Sequence, residues 1–329
     1  MKVAVIGAGS WGTTVASMLA PRVETVLWAR RPELADHLNA GVNPDYLPGF
    51  DLPEDLTATP DVTAAIDRAG VIVMSVPSHG FRSVLEQAAP AIGRGTPILS
   101  LSKGIEQASL MRMTEIASDV LRDHDHARIG VLTGPNLARE IMAGQPAATV
   151  IAMEDHDIAV ELQSIFMSPL FRVYTNTDVA GAESAGALKN VMAIAAGMAE
   201  GLGFGLNTVS MLMTRALVEM SRLGIAMGGR PATFAGLAGM GDLIATCMST
   251  ESRNHRVGLG LGRGKSIDEI VSEMNMVAEG VKSTKGILAL ADRHGIEMPI
   301  AEQVGHVLYE NAAVPEAIAR LMGRTAKPE

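Results

Sequence analysis

Three patterns in this sequence could do chemistry: a lysine among small apolar neighbours, an arginine flanked by neutral donors, and an acid among glycines. Lys189 stands in Glu183-Ser184-Ala185-Gly186-Ala187-Leu188-Lys189-Asn190, with Ala185 one turn before it and Ala193 one turn after. A helix here presents a small, apolar face broken by one ammonium. Burial disfavours the charged form and lowers a lysine's pKa, which suits a group that gives and takes a proton near neutral pH. The alternative is a lysine that snorkels to solvent from a helix edge. Ser252-Arg253-Asn254 sets a guanidinium, with its fixed fork of donors, beside a hydroxyl and an amide, a set that grips phosphate. The other reading of that triplet is an N-cap with a solvated arginine. Asp242 lies in Gly239-Met240-Gly241-Asp242-Leu243-Ile244-Ala245-Thr246-Cys247, ahead of a helix.

The elements that must position these groups begin at the N-terminus. Val3-Ala4-Val5-Ile6 is β-rich and too short for a helix, and Gly7-Ala8-Gly9-Ser10-Trp11-Gly12 joins it to a helix predicted over Thr13–Leu19. In this G-x-G-x-x-G spacing Gly7 permits a tight turn, Gly9 lets backbone approach a pyrophosphate, and Gly12 lets helix and strand pack closely. Helix N–H groups then face the anion, so the stretch outlines a dinucleotide site. A glycine-rich turn without a ligand is the alternative. Val23–Trp28 reads as a second strand ending at Arg30 and Arg31, which favour a 2′-phosphate where an acid would take ribose hydroxyls; exposed arginines at a helix start are the competing reading. Asn43–Pro60 reads as irregular, at the rim. Val71–Pro77, Pro97–Leu101 and Arg128–Leu132 are apolar runs typical of buried parallel strands. The latter two deliver Lys103 and the turn Gly134-Pro135-Asn136 to the carboxyl ends, where open α/β sheets bind ligands; a surface lysine at a strand end is the other reading of Lys103. Two more strands, Ala147–Ile151 and Leu170–Tyr174, flank a helix over about 155–167. From Asp178 the βαβ rhythm stops and helices rich in Ala, Met and Gly follow, which sets a domain boundary between 176 and 177.

Composition narrows the function classes. With 329 residues, 47% hydrophobic and 19% charged, the chain has enough apolar material for two packed domains. Aromatics are few and methionines number 20, so methionine serves as packing. A net charge of −9 offers nothing to nucleic acid or an anionic membrane, so any cationic site must be local. Cys247 is the sole cysteine; this excludes an intrachain disulfide and a multi-cysteine metal site, and fits a reducing cytoplasm. The N-terminal strand occupies the place of a signal peptide, and no apolar run approaches the roughly 18 residues of a membrane span. Three decoys are set aside. Gly264-Lys265-Ser266 lacks the first glycine of a P-loop, which falls at Leu259. Asp123-His124-Asp125-His126 lies in a polar turn, and Cys247 reads as a small buried side chain rather than a nucleophile.

Together, GAGSWGT at the start, LWARR, SLSKGIE, GPNLARE, ALKNV, AGMGDLIATC, SRN and VAEGV resemble, in order along nearly the whole chain, the bacterial-type NAD(P)-dependent glycerol-3-phosphate dehydrogenase family. The resemblance implies an N-terminal Rossmann doubly wound sheet (1–176) and an all-α, 6-phosphogluconate-dehydrogenase-like C-terminal domain (177–329). It implies reversible reduction of dihydroxyacetone phosphate to sn-glycerol 3-phosphate with NADP or NAD, feeding glycerophospholipid synthesis. By that analogy Lys189 is the proton donor and, in reverse, the base. Lys103, Gly134, Asn136, Asp242, Ser252, Arg253 and Asn254 match positions that hold substrate, and Lys103 and Asp242 join Lys189 in the catalytic set. Ser10, Trp11, Arg30, Arg31, Tyr46, Lys103, Ala138, Arg253, Val277 and Glu279 match positions that line the cofactor. No metal is implied. Charge developing on the ketone oxygen needs a cationic or proton-donating group, and two lysines in one pocket would lower each other's pKa. Where this chain has Asn136 the family more often has serine; the amide still donates a hydrogen bond, with altered geometry. Two other readings stand beside this one: a related dehydrogenase of another small hydroxy acid, with Ser252-Arg253-Asn254 gripping a carboxylate, and a non-catalytic nicotinamide sensor. The small and apolar residues of the helical domain suggest a homodimer.

Overall fold

The computed structural model describes residues 1–274 and 278–325. The chain forms two compact units, Met1–Lys103 with Met111–Glu183, and Gly104–Leu110 with Ser184–Glu329.

The first unit is built on one eight-stranded sheet: β1 (Lys2–Ile6), β2 (Glu24–Trp28), β3 (Thr57–Thr59), β4 (Val71–Met74), β5 (Ile98–Ser100), β6 (Ile129–Thr133), β7 (Ala147–Ala152) and β8 (Phe171–Asn176). Their spatial order is β3-β2-β1-β4-β5-β6-β7-β8. The first six are parallel, whereas β7 runs antiparallel to β6 and pairs in parallel with β8. The strand order reverses between β1 and β4, which opens a crevice at the carboxyl end of β1. The segment expected to be irregular contributes β3, whose Thr57–Thr59 pairs with Val26–Trp28. Its three residues carry almost no hydrophobic signal, because an edge strand needs only one covered face.

Apolar runs became two-sided strands. Val3, Val5, Val71, Val73 and Leu99 join Val15, Leu19, Leu34 and Phe166 in one core, while Ala4, Ile6, Ile72, Met74 and Ile98 join Ile66, Phe81, Leu85 and Ile116 in another. Successive side chains on a strand point to opposite faces, so covering both faces selects unbroken apolar sequence.

The second unit is helical, with its own core of Leu188, Val191, Ile194, Met220, Leu223, Phe234, Val257, Ile287 and Val304 among others. The helix Val179–Gly201 begins in the first unit and continues into the second. The boundary expected at 176/177 coincides with the end of β8, and the compact units part later, inside this helix. Glu183, the last residue of the first unit, is tied into it: its carboxylate accepts from Thr114 N (2.9 Å) and Thr114 Oγ1 (2.5 Å) and pairs with Arg112 (3.2 Å).

Within the helical unit, glycines bring two backbones together. A Cβ on Gly197 would lie 2.1 Å from the His255 carbonyl oxygen, and one on Gly258 would lie 2.0 Å from that of Ile194. Gly201 and Gly262 repeat the arrangement one turn on. The helix Arg253–Gly262 therefore packs directly on the helix that carries Lys189.

Candidate active site

At the carboxyl end of β1 the glycines divide their tasks. Gly7 has φ +120°, and a Cβ there would sit 2.5 Å from the Ser75 carbonyl oxygen; a Cβ on Gly12 would sit 2.0 Å from the Gly7 oxygen. Both are glycine for packing. At Gly9 nothing lies within 4 Å of the Cβ position, so that side is open. Gly9 caps the helix Ser10–Leu19 without a side-chain hydrogen bond to its first N–H groups. An open approach beside uncapped helix N–H groups fits a dinucleotide pyrophosphate. Trp11 packs its ring against Phe171 at 6.3 Å between centroids, and Ser10 Oγ donates to the Tyr46 carbonyl (2.7 Å).

Past β2, Arg31 is ion-paired with Asp45, which raises the arginine's pKa through that hydrogen bond. Arg30 is exposed beside it. At the ends of β5 and β6, the Lys103 ammonium donates to the Gly134 carbonyl (3.3 Å), and Gly134 holds φ +151°. Asn136 is anchored through its amide, with one Nδ2 hydrogen left over. Its Nδ2 donates to the Ala148 carbonyl (3.0 Å), and its Oδ1 accepts from Thr149 Oγ1 (2.8 Å), so its amide braces the Gly134 turn against β7. Ala138 opens the short helix Ala138–Met142.

In the second unit a wide turn, closed by Gly241 N donating to the Gly236 carbonyl (3.1 Å), leads into the helix Asp242–Met248. Such i to i−5 turns re-aim side chains and recur at functional sites. Asp242 is 2% and Lys189 6% exposed, so the lysine does not snorkel. Lys189 Nζ donates to Asp242 Oδ1 at 2.6 Å and to Thr246 Oγ1 at 2.5 Å. Asp242 supplies the countercharge that burial alone would deny the ammonium. Thr246 Oγ1 donates its own proton to the Asp242 carbonyl at 2.6 Å, leaving an oxygen lone pair for the lysine. Sequence reasoning missed Thr246, although its position one turn after an acid was a usable signal.

Ser252 is an N-cap after all, accepting from His255 N (3.2 Å). Arg253, however, is partly buried rather than solvated; burial pulls its guanidinium below the ordinary value, with the Glu279 carboxylate acting against that, and it stays cationic. Asn254 Nδ2 donates to Asn190 Oδ1 (3.0 Å) and its Oδ1 accepts from Gly280 N (2.9 Å). One amide hydrogen of Asn254 is left for a ligand. Val277, matched to the cofactor, lies outside the described residues. The helical unit thus brings together Lys189 with Asp242, and Asn254 with Gly280 beside Glu279.

The set-aside motifs have other work. Lys265 pairs with Glu273 (2.7 Å) and Ser266 caps the helix Ile267–Ser272. His124 and His126 meet the backbone carbonyls of Thr96 and Leu121. Burial pushes the Cys247 thiol up to about 12, which leaves a packed thiol.

Residues 2–159 match the NAD-dependent glycerol-3-phosphate dehydrogenase N-terminus and residues 178–319 the C-terminus of the same family. The chain belongs to this family. A glycerol-3-phosphate dehydrogenase (NAD(P)+) of Sphingopyxis alaskensis is 57% identical over 305 residues, covering 92% of this chain and 91% of its own. One from Thermobifida fusca is 50% identical over 331 residues, covering 100% and 98%. The crystal structure of a glycerol-3-phosphate dehydrogenase from Coxiella burnetii superposes with a TM-score of 0.93 at 37% identity, covering 98% of this chain and 99% of that one. Among the described residues no helix is long and apolar enough to cross a membrane.

Proposed function

We propose that this protein catalyses the reversible NAD(P)H-dependent reduction of dihydroxyacetone phosphate to sn-glycerol 3-phosphate, supplying glycerophospholipid synthesis in the cytoplasm. The observation that carries the reading is the buried Lys189–Asp242–Thr246 cluster, a protonated amine held at a defined place inside a dehydrogenase fold. A nicotinamide held at the glycine loop would supply the hydride for the ketone carbon. Lys189 gives its Nζ proton to the carbonyl oxygen as negative charge gathers there. Asp242 and Thr246 hold the ammonium in place beforehand, and the neutral amine left afterwards is the base for the reverse reaction. Arg253, with Ser252 and the free amide hydrogen of Asn254, binds the dianionic phosphate. Lys103 adds a second cation for substrate, held at the Gly134 turn.

For the cofactor, Gly7, Gly9 and Gly12 shape the pyrophosphate cradle. Ser10, Trp11, Arg30, Arg31, Tyr46, Ala138, Val277 and Glu279 complete the set. Arg30 and Arg31 accommodate the 2′-phosphate of NADP, and NAD is the other substrate of the same cradle. The exposed Phe204, Leu206 and Met211 of the helical unit support a homodimer, which light scattering at micromolar concentration tests.

The deciding measurement follows loss of NADPH, then NADH, absorbance with dihydroxyacetone phosphate, beside Lys189→Met. Turnover in the wild type and near-silence in the variant are expected. A wild type that binds cofactor yet reduces only carboxylate-bearing ketones, or nothing, would overturn the assignment.

A further inference from the structure

Asn43 is 1% exposed, and an amide so deep must place its donors and acceptor inside the protein. Its Nδ2 donates to the Ala8 carbonyl (3.2 Å) and to Thr13 Oγ1 (2.8 Å), while its Oδ1 accepts from Tyr46 N (3.1 Å). A backbone carbonyl can only accept and a backbone N–H can only donate, so these partners fix which way round the amide sits. Its own carbonyl accepts from Leu47 N (3.0 Å) and closes the turn. Ser10 Oγ, bonded to the Tyr46 carbonyl at 2.7 Å, makes a second link between this turn and the glycine loop.

Ala8 is the residue between Gly7 and Gly9, and Thr13 directly follows Gly12. The side chain therefore grips the glycine loop at both ends. In a planar trans peptide the C=O and the following N–H point in opposite directions. Holding the Ala8 carbonyl inward turns the Gly9 N–H outward, on a residue whose Cβ position has nothing within 4 Å.

We propose that Asn43 is a positioning residue for the cofactor: it sets the peptide plane between Ala8 and Gly9, and so the N–H groups offered to the pyrophosphate. The inference rests on the glycine loop being the cofactor cradle, as in the proposed function. Asn43 touches no cofactor atom in this role, and Lys189 chemistry is independent of it.

The test compares Asn43→Asp and Asn43→Ser with wild type. The first substitution keeps an acceptor for Tyr46 N but loses the donor to Ala8; the second is neutral and too short to reach. NADH binding is read by fluorescence titration and ADP-ribose, which keeps the pyrophosphate, by competition, both without substrate; thermal midpoints report folding. Both variants are expected to weaken NADH and ADP-ribose about tenfold or more, as for loss of a buried hydrogen bond. The KM for dihydroxyacetone phosphate and kcat at saturating cofactor should change less than about twofold. A lower midpoint with wild-type cofactor affinity would reduce Asn43 to a structural residue and overturn the proposal. Weakening by the aspartate alone would also overturn it, since added charge would then be the whole effect. If the wild type bound neither NADH nor NADPH, the dehydrogenase reading would fall, and this assignment with it.

Discussion

Replacing Asp242 by asparagine removes the countercharge 2.6 Å from Lys189 Nζ while keeping the shape. At that distance an effective dielectric of about 20 gives a gross attraction of about 6 kcal/mol. Desolvation of the two groups offsets part of it, and deleting one partner of a buried pair costs about 3–5 kcal/mol. Asparagine retains one acceptor for the ammonium, and so does Thr246, which places the loss near the lower end, about 3 kcal/mol. That corresponds to a fall of about 6–12 °C in the midpoint of a unit of this size. The lysine can escape part of the penalty by shedding its proton, since the carboxylate that favoured the ammonium is gone. In the variant the unfolded chain then binds the proton more tightly than the folded one, so stability rises with pH. The thermal deficit against wild type should therefore narrow from about pH 6 to about pH 9. The same loss removes the proton donor: ketone reduction at about pH 7 is expected to drop about 100-fold or more, and the alkaline limb of its pH profile should move to lower pH. Thermal melts and NADH oxidation across that range measure both. Wild-type rates across the range would refute the pairing as a catalytic device, and a pH-independent thermal deficit with an unmoved rate profile would leave Asp242 a purely structural partner.

Four other substitutions separate cradle, specificity and burial. Gly9→Ala meets open space at φ −72°, which alanine tolerates, so the midpoint should hold while NADH affinity falls; Gly12→Ala would put its Cβ 2.0 Å from the Gly7 oxygen and should lower the midpoint in the absence of cofactor. Asp45→Asn releases Arg31 from an exposed ion pair. Solvent screens such a pair strongly, so the NADPH to NADH preference, read as a ratio of kcat/KM, should rise by no more than about fivefold. Burial raises the Glu219 carboxyl from 4.5 to about 7, against the backbone hydrogen bonds from Ile300 and Ala301. The stability this contributes is present below about pH 4.5 and is lost as pH rises through about 7, a change of up to about 3 kcal/mol. Glu219→Gln should thus melt level with wild type at about pH 5 and above it at about pH 8.

What was legible in the sequence was whatever depends on neighbours along the chain. The apolar runs of β1, β4, β5 and β6 needed no partner to be recognised, because burial on both faces leaves an unbroken hydrophobic signature. The glycine loop was readable for the same reason: the turn and the open approach lie within Gly7–Gly12, and only the packing against Ser75 does not. Thr57–Thr59 was not, since an edge strand's identity resides in the strand it pairs with, here Val26–Trp28. That Asn136 also braces the Gly134 turn was not legible either, because its partners Ala148 and Thr149 lie on a strand that returns antiparallel to β6.

Lys189 shows how one local feature can have two physical origins. Its small-residue surroundings suggested a desolvated lysine, and it is buried. Yet the small residues further along that helix, Gly197 and Gly201, serve the close crossing with Gly258 and Gly262, and that crossing carries Asn254 to Asn190, next to the lysine. The countercharge comes from Asp242, 53 residues away, aimed by the wide turn at Gly236–Gly241 that no periodicity announces. A lone buried lysine and a lysine clamped between a carboxylate and a hydroxyl differ in how firmly they hold a proton, and only the second can wait, charged, in an apolar pocket for a carbonyl oxygen that becomes basic as hydride arrives.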